Sequence, residues 1–541
     1  MNPETDCRSL VDVVWDRARR DARGRAVVEL GDDADDVTLT WAELVDRADQ
    51  AAAVLLELGV RPGENVMVQL PNSIDFVVMA LATLRMGAVC CPVLPVLGQR
   101  ELGHALARSR ARVLVVASMF RGRDQAAEAM EMVDSGLAPH LRHLLVSCDT
   151  EPALAHGGTR PGVSAVTRRN LQTAMEHALV EPSAGSVATH AAGDIAHLMF
   201  TSGTTEEPKG VPHRMGTLDR AVALMSRRIG LTEHDVVHIA SPMAHHSGFL
   251  YGMWLSLSLG CVQVVQPVWN ADRALRAFAL WQGTFMQGAA PFLVDMVDAV
   301  DRGAPMPRSL RTFVITGSAV PRALTTRARE LLGTHICAAW GSTETCMATL
   351  AAPADDPQTV EDGYPLDGVR IRVVDENGDD LGSGREGHLE VTGPFVFTGY
   401  FDRSDLSREA FTADGWYRSG DLAVIKQTGH VRITGRAKDI VNRGGEKVPV
   451  HDIEQLILAH PAIADAAIVA MPHPRLGERA CLFAVVAEGG TVDLKGIQIH
   501  LEKNRVTRNF WPEHIEIVDV LPRNPAGKVQ KYLLREIAQK I

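Results

Sequence analysis

Two spacings of apolar residues alternate along the N-terminal part of the chain. Residues 10–20 place Leu10, Val13, Val14 and Ala18 at helical intervals, and residues 37–41 alternate as a strand does. Thr40 is placed to cap the next helix, which carries Leu44, Ala48, Ala51 and Leu55 on one face and stops near Gly59. A strand at 65–70 follows, then a helix capped by Ser73 and running to Met86, then a buried strand within 87–96. Residues 113–117 and 143–146 continue the series. Strand and helix patterns in regular alternation predict parallel α/β layers.

Residues 152–165 are rich in Gly, Pro and small side chains and predict a surface loop rather than a domain boundary. Strands are expected at 195–200, 236–240, 284–286, 313–316 and 336–339, with a helix over 269–279. Between 369 and 400 the pattern shifts to short runs separated by Gly, at 371–375 and 388–392, which predicts a small antiparallel barrel or sheet. A hairpin follows, with strands at 423–425 and 431–434 around Thr428-Gly429. Beyond Gly435 the chain carries elements of its own, at 452–459 and 466–470 for example. The expected architecture is α/β: a large N-terminal domain of layered sheets with a small β-barrel, residues 1–435, hinged at 435–439 to a small α+β C-terminal domain, residues 436–541.

The two most apolar stretches, 76–97 and 249–268, are interrupted by Arg85, Pro92 and Pro95 in the first and by Gln263 and Gln266 in the second, so both predict buried core and not a membrane span. The 541 residues are 46% hydrophobic and 22% charged, ordinary for a globular enzyme of several domains. A formal charge of -11 argues against a nucleic-acid partner. The eight cysteines form no Cys-x-x-Cys pair, and Met1 to Asp6 open no secretory pattern, so a cytoplasmic location is expected.

Residues 201–210 read Thr-Ser-Gly-Thr-Thr-Glu-Glu-Pro-Lys-Gly, directly after an apolar run of strand length. Small residues allow a backbone to approach a polyphosphate, hydroxyls and N–H groups donate to its oxygens, and Lys209 supplies a cation. By composition alone the stretch is equally a flexible turn. It lacks the Gly, four residues, Gly-Lys-Ser/Thr spacing of the nucleoside-triphosphatase loop. Further on, Ala339-Trp340-Gly341-Ser342-Thr343-Glu344 offers an aromatic ring for a purine face, a hydroxyl for a phosphate and, in Glu344, a hard oxygen ligand suited to Mg2+. Alone, that turn reads as a helix start.

In order and register these segments resemble the adenylate-forming enzymes: acyl-CoA synthetases, peptide-synthetase adenylation domains and beetle luciferases. Glu206 stands where glycine is usual and Trp340 where tyrosine is commoner. The resemblance implies that Thr201, Ser202, Gly203, Thr204, Thr205, Lys209, Ser318, Ala339, Trp340, Gly341, Ser342 and Thr343 bind the nucleotide. It implies that Asp421, in Tyr-Arg-Ser-Gly-Asp, accepts both ribose hydroxyls and that Arg436, fifteen residues on, holds the ribose or phosphate. Lys438 becomes the pivot of the hinge, and Gly444 and Gly445 open a tunnel for pantetheine. Lys528, in Asn-Pro-Ala-Gly-Lys, bridges the attacking carboxylate and the α-phosphate. Taken singly, each of these charges reads as surface and each Gly-Lys as a turn.

The same resemblance places His245, in Ser-Pro-Met-Ala-His-His-Ser-Gly, beside the acid's carboxylate and the thiol route. His246 stands where activators of amino acids often hold aspartate, so a free amino acid is a poor substrate. The acyl pocket is expected to use His246, Phe249, Gly288, Gly317 and Met347, with Ala289 and Ala290 adding width. The segments 249–252 and 287–292 look most like cyclohexanecarboxylate-type CoA ligases, which implies a bulky alicyclic or terpenoid-like acid. ATP, Mg2+ and CoA are the implied cofactors and co-substrates. Loading of an acyl carrier protein is the alternative; no segment with an attachment serine follows Ile541, so such a carrier would be separate. Luciferase-type oxygenation and a degenerate adenylate-binding protein are weaker alternatives. Retention of Lys209, Glu344, Asp421, Arg436 and Lys528 together argues against the latter.

Overall fold

The computed structural model describes residues 9–31, 35–148, 166–178, 190–201, 208–317, 322–355, 363–443, 446–524 and 527–541. Two large sheets share one interior. The seven-stranded sheet runs, edge to edge, Lys209–Arg214, Ile195–Thr201, Val89–Pro92, Asn65–Gln69, Val113–Ala117, His143–Ser147 and Thr167–Asn170. The nine-stranded sheet has Thr312–Ile315, Phe285–Gly288, Val236–Ile239 and Val262–Val265 as central parallel strands. Its edge toward the functional residues is made by His335–Ser342, Cys346–Leu350 and Tyr364–Pro365.

Between the sheets lie two helices whose caps were legible. Thr40 accepts from the Glu43 N–H while the Glu43 carboxylate accepts from the Thr40 N–H, a reciprocal capping box that starts Trp41–Glu57. Ser73 Oγ accepts from the Phe76 N–H at 3.2 Å and starts Ile74–Arg85. That second helix is buried almost all round, which explains its apolar composition without a membrane. Among the described residues, no helix is long and apolar enough to cross a bilayer. Its residues Phe76 and Val77 share one core with Leu44 and Ala48 of the first helix, Val66 and Val68 of one sheet, and Ile239 and Val265 of the other.

Element ends shift from expectation for local reasons. The strand expected within 87–96 is only Val89–Pro92, because Pro92 lacks the N–H a ladder needs. The helix expected from residue 269 starts at Ala271, where Asn270 accepts from the Arg273 N–H at 2.9 Å. The apolar run after residue 248 enters a π-helix, Phe249–Trp254, before continuing as Leu255–Leu259. The predicted loop at 152–165 lies outside the described residues.

The glycine-separated runs form a four-stranded antiparallel sheet: Arg370–Val374, Glu386–Thr392, Tyr417–Ile425 and Val431–Arg436. From Val441 a further five-stranded sheet begins, built on the long pair Ile463–His473 and Gly477–Val486. Its strands alternate between two cores. Ala466 and Ile468 face the helices Val450–Leu458 and Leu494–Lys503, whereas Ala467 and Val469 face Lys531–Ala538.

Candidate active site

The two described ends of the 201–210 segment lie on paired antiparallel strands, Ile195–Thr201 and Lys209–Arg214. Thr201 pairs with Lys209 and Phe200 with Gly210. Ser202, Gly203, Thr204 and Thr205 lie outside the described residues. The far strand is fastened to the Thr343-Glu344 turn. His213 Nε2 meets the Thr343 carbonyl oxygen at 2.6 Å, and the Phe401 N–H donates to the Gly210 carbonyl at 2.8 Å. Lys209 Nζ stands 5.5 Å from the centre of the Tyr400 ring, and the Tyr400 hydroxyl donates to Glu344 Oε1 at 3.0 Å. Lys209, Tyr400 and Glu344 thus form one short chain of contacts. Burial and the neighbouring Glu344 charge hold the Tyr400 hydroxyl far above its ordinary pKa, so it remains a donor.

The Glu344 turn is rigid for a reason visible in its backbone. The Ser342 N–H donates to Thr345 Oγ1 at 2.9 Å and the Thr345 N–H returns to Ser342 Oγ. A Cβ on Gly341 would stand 1.9 Å from the Cys346 carbonyl oxygen, so only glycine fits there. Glu344 is half-buried and keeps carboxylate lone pairs beyond the one Tyr400 uses, a hard-oxygen donor that fits Mg2+. Ala339, half-buried on the same strand, pairs with Leu350, and Ser318 lies outside the described residues.

A second group gathers around Asp421. Asp421 is 5% exposed; its carboxylate accepts from Trp340 Nε1–H at 3.0 Å on one oxygen and pairs with Arg436 Nε at 2.8 Å on the other. Residues 421 and 436 are direct partners across the hairpin, which is why a separation of fifteen in sequence becomes a contact. Trp340 therefore orients a carboxylate, beyond the ring role expected from the sequence. The Asp421 charge is the main cause holding the Arg436 guanidinium well into its charged range.

Lys528 stands close to this pair. Its turn closes on itself: the Lys528 N–H donates to Asn524 Oδ1 at 2.9 Å, and the Asn524 N–H to the Lys528 carbonyl at 2.8 Å. The same turn touches the large lobe, since a Cβ on Gly527 would lie 3.6 Å from both Ala289 Cβ and Pro291 Cγ. Burial, and then the Arg436 charge, lower the Lys528 ammonium to about 8, with Asp421 and Asp439 acting the other way. Lys438 lies in a short turn, Ala437–Asp439, where Arg535 Nη1 meets Asp439 Oδ1 at 2.7 Å and the Lys438 carbonyl at 3.3 Å. Gly444 and Gly445 lie outside the described residues, between the paired strands Val441–Arg443 and Glu446–Val448.

His245 is half-buried and its Nδ1 accepts from the Ser247 N–H at 3.3 Å. Burial, with the Lys528 charge added, brings its imidazole down to about 4, so it is neutral at pH 7. His246 is buried, its ring close to those of His197 and His213. Phe249 stacks obliquely on His197, ring centres 4.4 Å apart. The backbone of Met347 is fixed by its N–H donating to the Tyr251 hydroxyl at 2.6 Å. Of the two glycines expected to widen the pocket, Gly317 has no atom of the described residues within 4 Å of where a Cβ would be, whereas the Phe292 ring, 3.1 Å from where a Gly288 Cβ would be, fills the room at Gly288.

Sequence reasoning missed several supporting residues. Tyr400 and Tyr251 gave no signal, being lone tyrosines in loops or apolar runs. Asn72 is a buried hub: its Nδ2 donates to the Ser241 and Gln266 carbonyls at 3.0 and 3.2 Å, and its Oδ1 accepts from the Met243 N–H at 2.6 Å. It fixes the 241–248 segment from 170 or so positions away in the chain, beyond the reach of any local pattern.

The AMP-binding enzyme family matches residues 14–401, and the AMP-binding enzyme C-terminal domain matches residues 452–528. The chain is 31% identical to the medium-chain fatty-acid–CoA ligase of Escherichia coli K12, over 92% of this chain and 85% of that one. It is 32% identical to the salicyl-AMP ligase / salicyl-S-ArCP synthetase of Mycobacterium tuberculosis, over 97% and 90%. Among solved structures it is similar to ATP-bound MatB from Rhodopseudomonas palustris, with a TM-score of 0.84 and 26% identity over 98% of each chain.

Proposed function

The chain belongs to the AMP-binding enzyme family, and from that premise we propose that it is an ATP-dependent acyl-CoA ligase. In the first half-reaction an oxygen of the acid's carboxylate attacks the α-phosphorus of ATP. The bond to the bridging oxygen breaks, and pyrophosphate leaves with the electron pair. In the second, a CoA thiolate attacks the acyl carbon and AMP departs, leaving a thioester. The observation that carries this reading is the position of Lys528: its turn rests on Ala289 and Pro291 of the large lobe, beside the Asp421–Arg436 pair.

In this reading Asp421, oriented by Trp340 and Arg436, accepts the ribose hydroxyls. Lys209 and the hydroxyls and N–H groups around 201–205 hold the outer phosphates, with Thr343 adding a hydroxyl. Glu344 would hold Mg2+, which supplies neutralisation of the phosphate charge. Lys528 aligns the carboxylate for in-line attack and stabilises the charge that builds on the α-phosphoryl oxygens. Neutral His245 borders the carboxylate without repelling the Lys528 ammonium. The lobe beyond Gly435 then turns about Lys438, withdrawing Lys528 and bringing Gly444 and Gly445 to the thiol route. This divides the chain into residues 1–435 and 436–541.

The acid proposed is bulky and alicyclic or terpenoid-like. The small side chains at Ala289 and Ala290 and the space the described residues leave at Gly317 support it. A separate carrier protein is the second acceptor considered, favoured by the likeness to a synthetase that carries that activity in its name. The described cysteines are free thiols, which suits the cytoplasm. The test offers ATP, Mg2+ and CoA with a mixed library of cyclic, aryl and straight-chain acids. Mass spectrometry should find acyl-CoA products from cyclic acids, with AMP and pyrophosphate in equal amounts. A strict preference for long linear chains would remove the substrate assignment, and no acid-dependent consumption of ATP would remove the reaction.

A further inference from the structure

Behind the Glu344 turn lies a group that the reaction above does not use. His197, His213 and His246 are 0%, 1% and 4% exposed, and their rings crowd together, with centres 5.1 Å apart for His213–His246 and 5.2 Å for His197–His246. Among the described residues, both nitrogens of His197, both of His246 and Nδ1 of His213 have no hydrogen-bond partner. Buried polar atoms left unpaired are costly and uncommon, so several in one place call for a ligand. Cys346 completes the group: donor atoms of His213, His246 and Cys346 all lie within 4.8 Å of one another.

Two details give the cluster a direction. His213 Nε2 is engaged with the Thr343 carbonyl at 2.6 Å, and a carbonyl only accepts, so Nε2 carries the hydrogen and the Nδ1 lone pair faces the cluster. A carbonyl oxygen that fixes the tautomer of an imidazole from behind is the usual support of a metal-bound histidine. Cys346 has φ +51°, the left-handed region that favours glycine. A thiol is therefore kept where the backbone would be better served by no side chain, a strain found where a residue has work to do.

We propose that His213 Nδ1, one nitrogen of His246 and Cys346 Sγ together bind one divalent cation of the zinc type. One thiolate and two neutral imidazoles are soft-to-borderline donors, which select Zn2+ over the Mg2+ that Glu344 suits. Tetrahedral bonds of about 2.0–2.3 Å need donors roughly 3.3–3.8 Å apart, a modest inward rotation from the present spacing. Binding deprotonates the Cys346 thiol, so one proton is released per cation and no electron is transferred. The cation would join the Lys209–Arg214 strand, the His246 turn and the Cys346–Leu350 strand, tying the phosphate hairpin to the acyl wall. It also leaves the second nitrogen of His246 as an N–H donor.

Full-length protein purified without chelator is expected to carry one zinc per chain by elemental mass spectrometry. Replacement by Co2+ should give a thiolate-to-cobalt charge-transfer band together with tetrahedral d–d bands. Cys346→Gly, which relieves the left-handed backbone, should lose the band yet melt no lower than metal-free wild type, and His213→Gln and His246→Asn should lose it too. Substoichiometric metal in the wild type with no cobalt–thiolate band overturns the proposal, as does unchanged cation binding in Cys346→Gly. If no cation binds, but the histidine variants change which oxygen-bearing acids are activated, the cluster serves acid recognition and the proposal is likewise overturned. Metal content, the cobalt spectrum and the melting comparison do not depend on acid activation, so they test the cation site separately from the proposed reaction.

Discussion

The indole N–H of Trp340 donates to the carboxylate of Asp421 at 3.0 Å, across a separation of 81 residues. One side chain thereby joins strand His335–Ser342 of the nine-stranded sheet to strand Tyr417–Ile425 of the antiparallel sheet. Trp340→Phe keeps a ring and removes the donor. A hydrogen bond to a charged group contributes about 1.5–3 kcal/mol, so the KM for ATP should rise by roughly tenfold or more at saturating acid. An unchanged KM would mean that Arg436 alone orients Asp421.

Lys528 titrates near 8, lowered by burial and by Arg436. A lysine is a cation below its pKa, so the charge is present at pH 7 and is lost as pH rises through about 8. The kcat/KM for adenylate formation, measured by ATP–pyrophosphate exchange, should fall over that range. Lys528→Arg should remove the fall, because guanidinium stays charged. Lys528→Ala should reduce exchange by about a hundredfold or more, while thioester formation from preformed acyl-adenylate is retained.

Tyr400 holds Glu344 through one hydrogen bond and lies under Lys209. Tyr400→Phe should weaken the apparent affinity for Mg2+ by a few-fold while kcat at saturating Mg2+ changes little. Glu344→Gln should reduce both, since it removes a ligand charge. Equal Mg2+ titrations for wild type and Glu344→Gln would take the metal away from this residue.

Arg535 bridges Asp439 and the Lys438 carbonyl, fastening the last helix to the proposed pivot. On the proposed mechanism, this contact would hold the orientation in which Lys528 serves adenylation. Arg535→Ala should lower pyrophosphate exchange relative to the thiolation half-reaction by a few-fold. A proportional loss in both would make the contact merely stabilising.

Asn72 is 5% exposed and satisfies three backbone groups in two separate segments, at 241–243 and at 266. Asn72→Ala leaves those groups buried without partners, at a cost of about 2–3 kcal/mol. Thermal denaturation should show a lowered Tm, and the KM for the acid should rise because the 241–248 segment loses its brace.

Much of the fold was readable because its signals are local. The caps at Thr40 and Ser73, the strand at 113–117 and the turn at Thr428-Gly429 each follow from neighbouring residues acting on one another. The short Val89–Pro92 strand and the π-helix at Phe249–Trp254 were not, because a missing ladder bond and a widened helical turn depend on what packs against them. Motif order gathered Lys209, Glu344, Asp421, Arg436 and Lys528 into one list. Distances were needed to show that Asp421 is held from two sides, that Phe292 takes the space at Gly288, and that Tyr400 links a lysine to a glutamate.

By itself, the amino-acid order determined the alternation of strands and helices, the family of the chain and the identity of its charged residues. Each of those rests on interactions within a few positions or on the bare type of a side chain. Only tertiary structure decided which of the buried histidines find partners, since His197, His213, His246 and Cys346 come from strands and turns far apart in sequence. Desolvation acts on the finished interior, and a nitrogen becomes unpaired only once the chain has closed around it.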